Sequence, residues 1–402
     1  MKTTRRDFLI KTSIVSAGVS LGLPGILLGS SEVPLESPGV SIGSPRVDNM
    51  KYSLLPKGPK DYVIVMGHYD IWEFNARFGL KKESQNSPLR DFILPRYLEA
   101  GVSVLIMPAS GDSTDERQGS DQVLEGGMRT IDMIHNEIEK TNGMASLILT
   151  KKDVPDKPDP NHLKFFLDME GAETIQANSE PKQYYPGCDL ANLRDFFRLG
   201  VRGLQLTHNG RNMAADGVGE GKMAGKLSTF GVKVVQELNR LGMMVGVSHL
   251  SANGIFHAAE ISTKPIVSTH QNPQKFINTP LQHSDQEIKA IASTGGLMGM
   301  RYQEGEMTYK MCVDIIDYVA DLVGIEHVGI AWLGHDVGNP SPNYVPGFSS
   351  GPVPGGEIEK LTKYEQNSRI IDLLYQRKYT DEHIAMVMGG NFLRIMKETL
   401  PD

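Results

Sequence analysis

Apolar and polar positions alternate along this chain in blocks. Short, nearly uninterrupted apolar runs recur at Val63–Met66, Val102–Met107, Lys164–Met169, Gly203–Thr207, Met243–Ser248, Pro265–Thr269, Gly296–Met300 and His327–Ala331. Runs this short and uniform predict strands buried on both faces, as in a parallel sheet; a strand with one wet face would alternate residue by residue. A ninth run, Ala145–Leu149, carries no polar chemistry at its end and reads as a short extra strand. Between the runs, apolar residues return at helical spacing over Ser87–Ala100, Gln122–Glu139, Leu190–Leu199, Lys226–Leu241, Ser284–Ser293 and Thr308–Leu322. Ser284-Asp285-Gln286-Glu287 has the form of a capping box, and Gly101, Gly200, Gly242 and Gly324 stand where helices should end. Strand and helix repeated eight times predict an α/β fold, a (β/α)8 TIM barrel of the metal-dependent hydrolase type, over residues 49–402.

In such a barrel the C-terminal ends of the strands meet at one mouth, so the residues just past each apolar run bear on function. His68 and Asp70 come after the first run, Glu170 after the third, His249 after the fifth and His270 after the sixth. Alternate residues of an extended segment share a face, so His68 and Asp70 can grip one cation. A carboxylate has two oxygens, so Glu170 at the barrel centre can bridge two. Taken singly, each residue has an ordinary role: a polar strand end, a surface acid, a hydrogen-bonded core histidine. Their shared position at one end of separate strands points instead to a metal centre. His135, His257 and His383 fall in helical segments and read as surface residues. The Pro-, Gly- and Ser-rich stretch 337–357 reads as a long loop over the mouth.

At 402 residues and 40% hydrophobic content, the chain can bury a large core. A net charge of −7, with no basic cluster beyond the extreme N-terminus, excludes nucleic acid as a partner. Cys188 and Cys312 read as two free or buried thiols. The N-terminus carries Thr4-Arg5-Arg6-Asp7-Phe8-Leu9-Ile10-Lys11 and then an apolar stretch to Gly29, which resembles a bacterial twin-arginine signal peptide over residues 1–30. Pro24 interrupts the stretch, which is short for a membrane span, and no stable membrane anchor is expected. Residues 31–48 read as a linker. The expected destination is the periplasm or the exterior, reached by the twin-arginine route.

Several motifs then become specific together. Gly67-His68-Tyr69-Asp70, Met169-Glu170-Gly171, Leu206-Thr207-His208-Asn209, Ser248-His249-Leu250-Ser251 and Ser268-Thr269-His270 occur in that order. Gly200-Val201-Arg202, His327-Val328-Gly329-Ile330 and Gly389-Gly390-Asn391-Phe392-Leu393-Arg394 accompany them. In these pieces the chain resembles the membrane (renal) dipeptidase family of binuclear zinc peptidases, within the amidohydrolase-like barrels. The resemblance implies two zinc ions, one held by His68 and Asp70, the other by His249 and His270, with Glu170 between them. It implies that a bridging hydroxide attacks the amide carbonyl and that His208 steadies the oxyanion as a substrate-binding and catalytic group. Family members are often dimers, so a homodimer is an expectation as well.

Two positions depart from the family pattern. The arginine that would bind the substrate carboxylate is replaced by Leu281, and a leucine cannot form a charge-assisted fork. Arg301, at the end of the seventh run, is the candidate substitute; its alternative is an ordinary surface arginine. The family's proton-shuttling aspartate matches Leu333, leaving His335 or Asp336 to supply that function if the strand end bulges. The expected activity is therefore metal-assisted hydrolysis of a dipeptide or similar small amide. The alternatives are hydrolysis of a non-dipeptide small amide or ester, or a non-catalytic metal-binding homologue.

Overall fold

The computed structural model describes residues 57–69, 87–109, 123–176, 190–302, 307–333 and 363–402, all within one compact unit, Leu54–Asp402. The expected signal and linker, Asp70, Cys188, His335, Asp336 and the stretch 337–357 lie outside the described residues. Every apolar run forms a strand: β1 (Ile64–Met66), β2 (Val102–Pro108), β3 (Ala145–Leu147), β4 (Leu163–Asp168), β5 (Gly203–Gln205), β6 (Met244–Gly246), β7 (Ile266–Ser268), β8 (Leu297–Tyr302) and β9 (Val328–Leu333). All ladder pairs are parallel, in two series, β1-β2-β4-β3 and β5-β6-β7-β8-β9.

Backbone hydrogen bonds join the two series into a ring. On one side Arg202 N–H donates to Leu167 O at 2.8 Å and Gln205 N–H to Met169 O at 2.8 Å; on the other, His68 N–H donates to Ala331 O at 2.9 Å. The extra strand β3 pairs only with the start of β4, Ala145–Leu147 opposite Leu163–Phe165. From Leu167 onward that edge of β4 belongs to Val201 and β5. The architecture is the (β/α)8 barrel that the pattern predicts.

The surrounding helices are α1 (Leu94–Glu99, entered through a π turn Leu89–Ile93), α2 (Val123–Glu139), α3 (Ala191–Arg198), α4 (Thr229–Leu241), α5 (Ala252–Ile261), α6 (Asp285–Ser293) and α7 (Tyr309–Val323). At the C-terminus come α8 (Lys363–Gln376), α9 (Asp381–Ala385) and α10 (Asn391–Thr399). The capping box at α6 forms: Glu287 N–H donates to Ser284 Oγ at 3.4 Å and Ser284 N–H to Glu287 Oε2 at 2.8 Å. Gly242 ends α4 in the left-handed conformation. Among the described residues no helix is long and apolar enough to cross a membrane.

The core has two layers, set by the two-residue period of the strands. Ile64, Met66, Leu105, Met107, Phe165, Leu167, Val245 and Ile266 pack outward, within the cluster that includes the surrounding helices. Val65, Val104, Ile106, Phe166, Met244, Val267 and Leu297 pack inward, together with Phe392, Ile395 and Met396 of α10. The C-terminal helix therefore closes the N-terminal end of the barrel, opposite the candidate site. The Phe392 ring lies where side chains are missing on two strands: a Cβ on Gly67 would stand 2.4 Å from its Cζ, and one on Gly329 2.8 Å from its Cε2. Asn391 Nδ2 donates to Val328 O at 2.7 Å and Ile325 O at 2.8 Å, and Arg394 donates to Gly295 O at 2.9 Å and Glu326 O at 3.0 Å. The motif Gly389–Arg394 is thus a plug with its own backbone staples.

Truncating the plug at Phe392→Ala should cost about 3–5 kcal/mol of stability, the usual range for emptying a buried phenylalanine site. Urea denaturation measures it; a loss below about 1 kcal/mol would contradict a close-packed plug.

Candidate metal centre

Each inward-facing polar group is delivered by the end of a strand. Glu170 lies two residues beyond β4 and is bridged to Gln205 at the end of β5. His68 lies just past β1, His208 past β5, His249 past β6 and His270 past β7. The sequence placed these residues at one end of separate strands, and the fold brings them into one cluster. His249 Nε2 and His270 Nε2 each stand 3.3 Å from Glu170 Oε1, and His68 Nε2 stands 3.9 Å from Glu170 Oε2. The His68 and His270 rings lie 3.9 Å apart between centroids, and His208 and His249 4.7 Å. Potential donor atoms of His68, Glu170 and His270, and of Glu170, His208 and His249, fall within 4.8 Å of one another. His208 therefore stands at ligand distance as well.

Neighbours fix the rings. His249 Nδ1 lies 2.8 Å from Asn209 Oδ1, and an amide oxygen can only accept, so Nδ1 carries the proton and Nε2 presents its lone pair. His270 Nδ1 lies 2.8 Å from Thr269 Oγ1. His68 Nδ1 is buried with no hydrogen-bond partner among the described residues. The backbone at His249 is left-handed, with φ of +61°, a conformation that a non-glycine residue holds only under constraint. Three bonds supply the constraint: Asn209 on the ring, Val218 N–H to His249 O at 2.9 Å, and His249 N–H to Gln271 Oε1 at 3.2 Å. Asn209 stood in the Leu206–Asn209 motif without a role of its own, and Gln271 had no signal beyond being a polar residue one step from His270.

The electrostatics match this geometry. Burial pushes His68 down to about 4, with the charges of His249, Arg301 and His208 adding to the effect and Glu170 opposing it. Burial likewise lowers His249, and lowers His270 well below its usual value. Burial opposes ionisation of Glu170, but His68, His249 and His270 outweigh it and hold the carboxyl well below the carboxylate range. The result is an anion ringed by neutral imidazoles. His249 Nε2 and His270 Nε2 meet at 2.8 Å; once both Nδ1 atoms carry protons, two lone pairs face each other there. A cation resolves that contact, and a nitrogen–carboxylate donor set suits zinc or a similar divalent metal.

The two departures acquire structural settings. Leu281 is half-buried, and its carbonyl accepts from Gln271 Nε2, so this position serves the His249 loop through its backbone. Arg301 shares the inward parity of Leu297 and Gly299 on β8 and is half-buried. Its charge reaches both His68 and His249. The ladder between β8 and β9 shifts register at Met300/Arg301, and such bulges commonly re-aim a side chain beside an active site. Asn272 fixes the Arg301 backbone, donating to its carbonyl at 2.8 Å and accepting from its N–H at 3.1 Å. The helical histidines differ: His135 is bonded to Leu199 O at 2.8 Å, outside the cluster.

Barrel and donor set together define the class, an α/β barrel with a buried imidazole–carboxylate metal centre. A family model for membrane dipeptidase, peptidase family M19, matches residues 59–400, and the chain belongs to that metallopeptidase family. Dipeptidase verJ of Clonostachys rogersoniana is 29% identical over 279 residues, covering 68% of this chain and 65% of that protein. Human Dipeptidase 3 is 24% identical over 361 residues, covering 84% of this chain and 65% of that protein. The chain thus spans just under two thirds of the length of these relatives. A metallopeptidase of Rhodobacter sphaeroides, solved with a phosphinate mimic of the dipeptide L-Ala-D-Ala, superposes with a TM-score of 0.67 at 18% identity, over 84% of this chain and 99% of that one. An amidohydrolase of Pseudomonas aeruginosa superposes with a TM-score of 0.66 at 19% identity, over 85% and 99%. At these identities the likeness establishes the shared fold.

The depressed His68 value fixes the sign of a pH effect. Folded, His68 takes its proton near pH 4; unfolded, near 6.5. The unfolded chain therefore binds more protons inside that window, and stability falls as pH drops through it. Chelator-treated protein should lose stability between about pH 7 and about pH 5 in urea titrations, and His68→Gln should reduce the slope. Identical slopes in the two proteins would contradict the assignment.

Proposed function

We propose that the chain is an exported binuclear zinc hydrolase that cleaves the amide bond of dipeptides or similar small amides. The observation that carries this reading is the convergence of three imidazoles on the buried Glu170 carboxylate, each 3.3–3.9 Å away. His249 and His270 would hold one metal, His68 and Asp70 the other, with Glu170 shared between them. When bound, the two zinc ions would supply a hydroxide at neutral pH and polarise the scissile carbonyl. The protein's own groups do the rest. Glu170 offsets the positive charge inside a buried site. His208 would donate a hydrogen bond to the oxygen that gains charge as the carbonyl becomes tetrahedral. Asn209 keeps His249 in the tautomer that binds metal. Asp336, soon after β9 in sequence, is assigned the proton transfer to the leaving amine. The twin-arginine signal, residues 1–30, would deliver the barrel to the periplasm or the exterior, and a homodimer is the proposed assembly.

Arg301 takes the substrate carboxylate in this reading, in place of the arginine that Leu281 replaces. Its inward parity and its electrostatic reach to His68 and His249 support that role. A second reading, hydrolysis of a small amide or ester without a carboxylate, is favoured by Leu281 alone. Bound metal with no turnover of any amide or ester would instead point to a non-catalytic homologue.

A dipeptide panel measured against matching N-acyl amides separates these readings. L-dipeptides should be the better substrates, and Arg301→Leu should raise their KM about tenfold to a hundredfold, the worth of a charge-assisted hydrogen bond. Substrates amidated at the C-terminus should be unaffected by the substitution. Equal turnover of dipeptides and uncharged amides by the unmodified chain would favour the second reading. Glu170→Gln should weaken zinc binding by at least about tenfold in calorimetry, because the shared ligand loses its charge. Unchanged affinity would remove Glu170 from the site.

A further inference from the structure

Behind the cluster lies a buried line of hydroxyls that no part of the reaction uses. It starts at His270 Nδ1, 2.8 Å from Thr269 Oγ1, and continues to Ser248 Oγ at 3.1 Å. Ser248 Oγ lies 3.5 Å from Ser268 Oγ, its longest step, and Ser268 Oγ lies 2.7 Å from His283 Nε2. His283 Nδ1 faces Glu287 Oε1 of α6 at 3.6 Å. Every member is buried, and Ser248, Ser268 and Thr269 are 0% exposed. Ser268, His283 and Glu287 have the residue types of a hydrolytic triad, but a wholly buried serine cannot meet a substrate. The line must act inside the protein.

Its hydrogen bonds can run in one direction from end to end. The Glu287 carboxylate, 3.6 Å away, acts on His283 Nδ1 as a neighbouring negative charge that favours a proton on that nitrogen, which leaves Nε2 as an acceptor. Burial works against ionisation of Glu287, yet His283 and Ser284 outweigh it and hold the carboxyl below its usual range. Ser268 then donates to His283 Nε2; in the orientation that links the whole line, Ser248 gives its one proton to Ser268 at 3.5 Å rather than to the nearer Thr269 Oγ1 at 3.1 Å, and Thr269 donates to Ser248. In that orientation the Thr269 oxygen accepts from His270 Nδ1–H, and His270 presents its Nε2 lone pair to the cluster. Ser268 has one competing acceptor, Gln271 Oε1, but that contact is longer, at 3.4 Å. Ser248 also ties the two histidine-bearing strand ends together, since its oxygen takes Thr269 N–H at 2.8 Å and His270 N–H at 3.4 Å.

We infer that His283 is a positioning residue which, backed by Glu287, fixes the tautomer of His270 through the Ser268–Ser248–Thr269 hydroxyl relay and so prepares that ring to bind metal. The inference rests on the metal reading of the cluster. Its direct readout does not, because the His270 tautomer exists with or without metal. Outer partners of this kind commonly change metal affinity about tenfold to a hundredfold.

The experiment uses the full chain stripped with chelator, with the ring nitrogens of His270 observed by long-range proton–nitrogen NMR. Zinc affinity is measured on the same samples by calorimetry. Unmodified protein should show His270 with its proton on Nδ1. His283→Phe and Ser268→Ala should lose that single tautomer and weaken zinc binding about tenfold to a hundredfold, while His283→Gln, whose amide can both accept from Ser268 and donate to Glu287, should keep both within about threefold. Thermal unfolding identifies any variant that does not fold; Ser268→Ala adds no bulk and carries the test if His283→Phe fails. A folded Ser268→Ala or His283→Phe variant with the unmodified His270 spectrum would overturn the inference. Loss of the tautomer in these variants, in a protein that binds no zinc, would uphold the relay and refute the proposed metal centre instead.

Discussion

Everything at the mouth of this barrel depends on one buried carboxylate. Glu170 would be costly to bury alone, since a charge removed from water needs a compensating partner. Here the compensation comes from imidazoles on three other strands, and burial keeps those imidazoles neutral. Neutral rings and one anion form an arrangement that is electrostatically incomplete without a cation. The same requirement explains the surrounding detail. Asn209 and Thr269 orient rings that would otherwise turn, and Gln271 holds the left-handed backbone at His249.

The rest of the fold supplies rigidity from the other end. Glycines at 67 and 329 leave a hole that the Phe392 ring fills, and Asn391 and Arg394 bind the free carbonyls around it. Inward positions change character along the barrel axis: apolar at the level of Val65 and Phe166, polar at Asp168 and Gln205, and ionisable at Glu170. On β4, strand parity carries one face from Phe166 at the apolar plug through Asp168 up to Glu170.

Much of this was legible in the sequence. Buried parallel strands have to be apolar on both faces, so all nine stood out as runs, and strand ends bearing His or Glu marked the mouth. The capping box at Ser284 and the helix end at Gly242 were legible because capping has local chemistry. The plug was less so: Gly389–Arg394 was visible as a motif, but nothing local says that a C-terminal helix packs beneath β1 and β9. The relay from His283 was hidden for a related reason. Its members are separated along the chain, and a buried serine resembles a surface one in sequence. The bulge beside Arg301 is a property of two paired strands, so one strand alone could not reveal it.

The central claim is that Glu170 is shared by two metal ions. The most direct measurement is anomalous X-ray scattering at the zinc edge from crystals of the zinc-loaded chain. Two peaks, one on each side of the Glu170 carboxylate, are expected, one beside His249 and His270 and the other beside His68. A single peak, or none within ligand distance of Glu170, would contradict the account.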